Sequence, residues 1–443
     1  MLTRLSNRLN SEHRKIIGNT GWLFIGRIFR ILISLLVSTW VARYLGPKEF
    51  GILQYALAFS SFFLPLSTIQ MAPIVTRDLV RQPESSNVIL GTAFTLQLVG
   101  GAIAAIASIT LIFVVSPEDF LVHLLVAIVA LKFIFNSLQP IESWFEARVE
   151  SKFKVLAENV AFIFSTVLKC YLILSGASVV ALTIVLVLET LLYSFGLIFY
   201  YQKSRQSVLN WRTNWKKIQY FIRESFPLVL SSTTVLIYIN IDRVMLGNMV
   251  GKEAVGIYSS AATLSESWWF LESIVSSSLY PMIIQSRDLG KAVYDRRLQK
   301  YYDLISLMAY GLILVMIPSA SLVITILYGK AYQAAIPILI VHICSALFSF
   351  LGAAQSHWIV NEGLQKFNLY SRLAGLVSNI LLNLLLIPLY GGMGAAIATI
   401  ISYAIGGYLF YLVIPVTREN AVRMTKALLL PIRLPKVIQE FIR

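Results

Sequence analysis

The chain has 443 residues, of which 57% are hydrophobic and 13% charged, with a mean hydropathy of +0.73 and a net charge of +15. A soluble domain carries about 25% charged and about 45–50% apolar residues, so this composition excludes a soluble enzyme, a disordered chain and a secreted disulfide scaffold. The apolar runs are long and continuous rather than alternating, which excludes a membrane β-barrel and leaves a polytopic α-helical membrane protein.

The first 17 residues carry Arg4, Arg8, Arg14 and Lys15. The apolar segment behind them is too long for a signal-peptide core and lacks a small-residue cleavage site, so it reads as a first transmembrane helix. At roughly 20 apolar residues per crossing, twelve spans are predicted. They lie near 18–42, 50–71, 88–115, 119–141, 155–175, 178–201, 224–248, 254–284, 303–328, 334–360, 369–388 and 392–415. The eighth is long enough to be kinked or to project from the bilayer. Pro65, Pro140, Pro227, Pro281, Pro318 and Pro337 fall inside spans, where proline kinks or interrupts a helix. Cys170 and Cys344 sit in apolar runs, with neither metal-ligand spacing nor a disulfide framework. After the last span, 416–443 reads as a cytoplasmic tail, either disordered or lying along the interface through its 428–432 apolar stretch.

The connections alternate between short, nearly neutral turns and longer basic ones. On the side of the two termini lie 28 of the 37 Lys and Arg residues; four lie on the other side and five within spans. The positive-inside rule then places both termini in the cytoplasm of a plasma (inner) membrane, which an even number of spans allows. It also assigns the basic charge to topology rather than to nucleic acid. No connection is long enough for a soluble domain. The chain has no Walker sequence, no H-E-x-x-H and no G-x-S-x-G, and no cofactor or metal is expected.

An internal repeat is visible. Gly46-Pro47-Lys48-Glu49-Phe50-Gly51-Ile52 matches Gly251-Lys252-Glu253-Ala254-Val255-Gly256-Ile257 at a constant offset, between spans 1 and 2 and between spans 7 and 8. Two six-span halves of equal topology follow, a build that places a substrate site between the halves of a transporter. The division predicted is 1–201, a cytoplasmic linker 202–223, 224–415 and the tail 416–443. Glycines in these turns serve positive φ and close helix approach.

The run Arg43 to Ile52, and Ile241-Asp242-Arg243-Val244-Met245-Leu246-Gly247 followed by Gly256-Ile257-Tyr258, resemble bacterial polysaccharide flippases of the multidrug/oligosaccharidyl-lipid/polysaccharide superfamily. The resemblance implies an all-α, MATE-like fold. It has two six-helix lobes related by a pseudo-twofold axis, around a cavity that opens alternately to each side. It implies a polyprenyl-diphosphate-linked oligosaccharide as substrate, moved from the cytoplasmic to the outer leaflet. Glycosyltransferases and a polysaccharide polymerase are then the expected neighbours in the pathway.

Charges within spans are costly and mark functional sites. Arg27 and Arg30 share a face of span 1, and Arg30 lies roughly 15–20 Å along that helix at about 1.5 Å per residue. A cationic cavity for a diphosphate would use Arg27, Arg30, Lys132 and Arg243, arginine being able to grip phosphate oxygens bidentately. The competing reading pairs the span 1 arginines with Glu189, Glu266 or Glu272. Lys169 reads as snorkelling to the interface. Asp242 reads as packing or gating against the first lobe, and Arg243 either contacts substrate or locks an outer gate in a salt bridge. Glu189, Glu266, Glu272 and Asp242 are candidates for a coupling ion or for charge balance. Trp268, Trp269, Tyr258 and Tyr280 could stack on sugar rings, or face lipid and neighbouring helices. Two rivals stand beside the flippase: a multidrug exporter, which would want an acid-dominated cavity, and a membrane polysaccharide polymerase or ligase, which would want a large outer loop.

Overall fold

The computed structural model describes the backbone of residues 2–433 and the side chains of residues 30–433. Among these, every regular element is helical. The first half holds α1 (Leu2–Ser61), α2 (Leu64–Thr68), α3 (Ala72–Arg81), α4 (Ser86–Val115), α5 (Phe120–Phe135), α6 (Pro140–Ala147), α7 (Lys152–Leu174) and α8 (Val179–Lys203). The second half holds α9 (Trp215–Met249), α10 (Lys252–Glu266), α11 (Trp269–Gln285), α12 (Lys291–Leu327), α13 (Ala335–His342), α14 (Ala346–Asn361), α15 (Gln365–Tyr390), α16 (Gly392–Ala404), α17 (Phe410–Val413) and α18 (Pro415–Leu428). The chain is a multi-span helical membrane protein.

Among the described residues, nine helical segments are long and apolar enough to cross a membrane, or ten if the bent pair 30–61 and 64–81 counts as one span. The difference from the twelve spans expected falls at particular residues. Spans 1 and 2 meet at Gly46, whose backbone is not helical (φ 73°, ψ 172°) and is followed by Pro47, so α1 comprises two helices joined at a sharp kink. Span 8 is broken at Ser267–Trp268 into α10 and α11, of 15 and 17 residues, in keeping with the kink expected there. Pro65 and Pro140 begin new helices, where a missing N–H costs nothing, whereas Pro227, Pro281 and Pro318 lie inside helices.

The predicted linker and the predicted tail both pack against the helices. Helix α9 starts at Trp215, inside the stretch 202–223 read as a linker, and Asn214 caps it by accepting from Lys217 N at 3.1 Å. Trp211 and Phe221 pack into an apolar cluster with Trp144 and Tyr201 of the first half, and Trp211 Nε1 donates to Tyr201 Oη at 3.1 Å. Over 415–428 the tail is helical and not loose. Helix α18 buries Asn420, Ala421, Met424 and Ala427. Asn420 Nδ2 donates to Tyr302 Oη at 2.6 Å, and Arg423 pairs with Asp295 at 2.9 Å.

The two repeated motifs pack on each other. A Cβ on Gly51 would overlap the Lys252 carbonyl and come within 2.8 Å of Gly256 N, and a Cβ on Gly256 would overlap the Pro47 carbonyl. Backbone lies on backbone here, which only glycine at both crossings permits. Tyr55 completes the contact. Its ring lies against Gly247, its hydroxyl donates to Asn248 Oδ1 at 2.7 Å, and Lys252 Nζ stands 3.2 Å over the ring centroid. The turns leading in, at Gly46 and Gly251 (φ 125°), use the positive φ that glycine tolerates.

Burial pushes the Lys252 ammonium down to about 8, with Asp119 partly opposing the shift. If this contact parts, Lys252 returns to water and to the ordinary lysine value. Between the two values the parted state binds more protons, so rising pH favours the closed contact. From pH 7 to pH 9 the ratio of closed to parted molecules should rise by about tenfold, read from spin-label distances between α1 and α10. Lys252→Met should lose that pH response, and an unchanged response in that variant would remove Lys252 as its origin.

Candidate functional site

A cavity of about 450 Å³ lies between the halves. Arg30, Ser34 and Ser38 of α1, Glu158 and Phe162 of α7 and Glu189 of α8 form one wall; Thr263 and Ser267, at the end of α10, form the other. Serines and a threonine make this a wettable wall within otherwise apolar helices.

Arg30 is the organising cation. Its Nη1 is ion-paired with Glu158 Oε1, its Nη2 donates to Asn159 Oδ1 at 3.0 Å, and its guanidinium stands 5.9 Å from the Phe162 ring centroid. Both charged side chains stay partly exposed, Arg30 at 25% and Glu158 at 42%. The counter-ion is thus Glu158 rather than Glu189, Glu266 or Glu272. The reason is geometric: α7 crosses α1 beside Arg30, while Glu189 is already engaged. Glu189 Oε2 accepts from Ser165 Oγ at 2.7 Å and from Lys169 Nζ at 3.1 Å. Lys169 therefore turns to a carboxylate instead of snorkelling, because a partly exposed partner on the next helix offsets the cost of its charge. Lys132, partly buried on α5, shares the electrostatic field of Glu189 and Lys169. The Arg27 side chain lies outside the described residues.

In the second half, Arg243 does not reach this cavity. It is 6% exposed, with Nη2 paired to Glu266 Oε2 at 3.1 Å and Nη1 donating to Asn240 Oδ1 at 3.0 Å. The salt-bridge alternative is the geometry observed, and both members lie in the second half. Asp242 likewise makes its bonds within that half rather than against the first. Tyr258 Oη and Thr399 Oγ1 donate to Oδ2 at 2.8 and 2.7 Å, and Asn383 Nδ2 donates to Oδ1 at 2.5 Å. Asn383 Oδ1 is buried there without a hydrogen-bond partner. Glu272 is buried on α11, where it accepts from Ser276 Oγ, itself 2.6 Å from Tyr301 Oη; it does not line the cavity. Tyr258 is consumed by Asp242, and Tyr280 packs against Tyr301 and His357.

Sequence reasoning missed Glu158 and Asn159, although both fall inside the predicted fifth span. It also counted Arg372 with a connection, although that residue lies inside the predicted eleventh span. A census of every charge within each predicted span would have found Glu158 and Arg372.

The chain is 23% identical over 404 residues to the capsular polysaccharide biosynthesis protein CapF of Staphylococcus aureus, spanning 89% of this chain and 99% of that one. It is 24% identical over 403 residues to the probable flippase AglR of Haloferax volcanii, spanning 88% and 82%. Among solved structures, the lipid II flippase MurJ in an inward closed conformation shares the fold, with a TM-score of 0.72 over 95% of this chain and 99% of that one at 15% identity. Residues 16–287 match the family model described as polysaccharide biosynthesis protein. That stretch contains the glycine contact, the Arg30–Glu158 pair and Asp242 with Tyr258, and the chain belongs to the polysaccharide biosynthesis protein family.

Proposed function

We propose that this protein is a flippase. It moves polyprenyl-diphosphate-linked oligosaccharide from the cytoplasmic to the outer leaflet of the plasma membrane, with both termini in the cytoplasm and without breaking a covalent bond. The observation that carries this reading is Arg30: a guanidinium in the wall of a cavity shared by both halves, held by a single, partly exposed carboxylate. A diphosphate offers more charge and more acceptor oxygens than Glu158, and bidentate geometry suits it to arginine. Family membership and the names of CapF and AglR support the same substrate class.

The halves, 1–201 and 224–415, act as two six-helix bodies that rock about the cavity, the docked segment 202–223 and the tail 416–443 staying on the cytoplasmic side. The glycine contact closes the outer side. The headgroup enters from the cytoplasm, displaces Glu158 from Arg30, and leaves once the glycine contact opens. Lys132 and Arg27, three residues before Arg30 on α1, add positive potential. Arg243 and Glu266 serve as an internal pair of the second half. Among the four acids considered for a coupling ion, Asp242 has the surroundings for one, with a hydroxyl, a phenol and an unpartnered amide oxygen around it. The bilayer, and the enzymes that build and polymerise the oligosaccharide, are the partners.

The test is lipid analysis of a strain deleted for the gene. A polyprenyl-diphosphate oligosaccharide should accumulate while surface polymer falls, and the wild-type gene should reverse both. Unchanged lipids together with unchanged surface polymer would overturn the reading.

A further inference from the structure

A second cavity, of about 200 Å³, lies wholly in the second half. Its walls are Tyr238 of α9, Trp269 of α11, Phe348 of α14, Arg372 of α15, Tyr403 of α16 and Tyr411 of α17. It adjoins the first cavity: Ser267 lines one and Trp269 the other, on either side of the break between α10 and α11.

The two cavities occupy corresponding places in the repeat. Helix α7 ends near a positive-φ glycine, Gly176, and α15 ends at another, Gly391. Glu158 stands eighteen residues before the first of these and Arg372 nineteen before the second. At the depth where the first cavity carries a carboxylate, the second therefore carries a cation. On the first helix of each half, Arg30 lines the first cavity and Val235 the second, 205 residues later, the offset of the glycine motif.

Among the described residues, Arg372 makes no hydrogen bond and no ion pair, and it shares the cavity wall with the Tyr411 phenol. The aromatic walls are held rigidly. Tyr403 stands edge-on to Tyr238 at 5.1 Å and 6.2 Å from Trp269, and Trp269 Nε1 is buried without a partner. The floor is a π-helical turn, Ile405–Leu409, where Gly407 lies against Gly352. A π-turn removes wall at that level, and such turns gather at functional sites.

A half-buried cation without a counter-ion, aromatic faces and unused donors form a surface for hydroxyl-rich rings. The C–H faces of a sugar pack on aromatic rings, while the guanidinium N–H groups take its oxygens. We propose that this second cavity is a glycosyl subsite: it holds a sugar residue of the headgroup while the diphosphate sits at Arg30. The inference rests on the flippase reading and adds where the sugar binds.

The experiment measures equilibrium binding to the full chain in lipid nanodiscs with two radiolabelled probes. One is polyprenyl diphosphate without sugar; the other is the lipid-linked oligosaccharide pool extracted from the deletion strain. Arg30→Ala should weaken both. Arg372→Gln and Trp269→Leu should leave the sugar-free probe within about twofold and weaken the oligosaccharide probe by about tenfold. Arg372→Gln removes no hydrogen bond of the fold, so its thermal midpoint should match the wild type, and it carries the result if Trp269→Leu misfolds. Equal losses for both probes, or no loss for either, would overturn the glycosyl subsite and leave the flippase standing. Failure of the wild-type protein to bind either probe would overturn both.

Discussion

Arg30→Ala abolishes surface polymer while protein level in the membrane stays normal: this is the largest effect expected of any single substitution. The guanidinium is held by one ion pair and one amide, at a partly exposed site, so the fold loses little. Substrate binding loses its main charge-assisted contact. Removing one partner of a charge-assisted contact at a partly exposed site costs about 2 kcal/mol, the low end for buried pairs, which corresponds to roughly thirtyfold in affinity. Arg30→Lys should restore part of the export, because it keeps the charge and loses the bidentate grip. Surface polymer and the accumulated lipid intermediate are the two readouts. Normal polymer in the alanine variant would remove Arg30 from the substrate path.

Gly256→Val is expected to come next. A side chain there meets the Pro47 carbonyl and the backbone of Gly51, neither of which can rotate away. Overpacking of this kind costs about 1–3 kcal/mol, a shift of about 5–150-fold between two conformations. The closed contact between α1 and α10 would be the loser. A cysteine introduced at Ser38, in a background with Cys170 and Cys344 replaced, should become reactive to a charged thiol reagent added outside, and export should fall. A protected Ser38→Cys together with normal export would show that the two motifs do not form the gate.

The parts of this architecture that were legible in the sequence were those written by local composition. Apolar runs placed the helices. The repeated Gly-x-x-x-x-Gly turns marked their own place, and Arg30 stood out as a charge deep in a span. What could not be read was which partner each charge would find. Glu158 pairs with Arg30 because of how α7 crosses α1, and no spacing along the chain encodes a crossing. For the same reason Lys169, assigned to the interface, faces Glu189, and Arg243 faces Glu266 on the neighbouring helix of its own half. The packing of α18 was not legible, on different grounds. A stretch with charges at every turn looks solvated, yet the inward face of α18 carries Asn420, Ala421, Met424 and Ala427, and a buried polar network on α12 and α14 was waiting for Asn420.

The Arg30–Glu158 pair also bears on what the protein must refuse. Every membrane presents phosphate groups in vast excess over any one biosynthetic intermediate. An ordinary phospholipid offers a phosphodiester with a single negative charge, which is what Glu158 already supplies, so trading one for the other gains no electrostatic energy. A diphosphate exceeds that charge and wins the exchange. On the proposed function, the resident carboxylate would set an admission threshold, and would let a cationic path stand open to the bilayer without scrambling the lipids of its two leaflets.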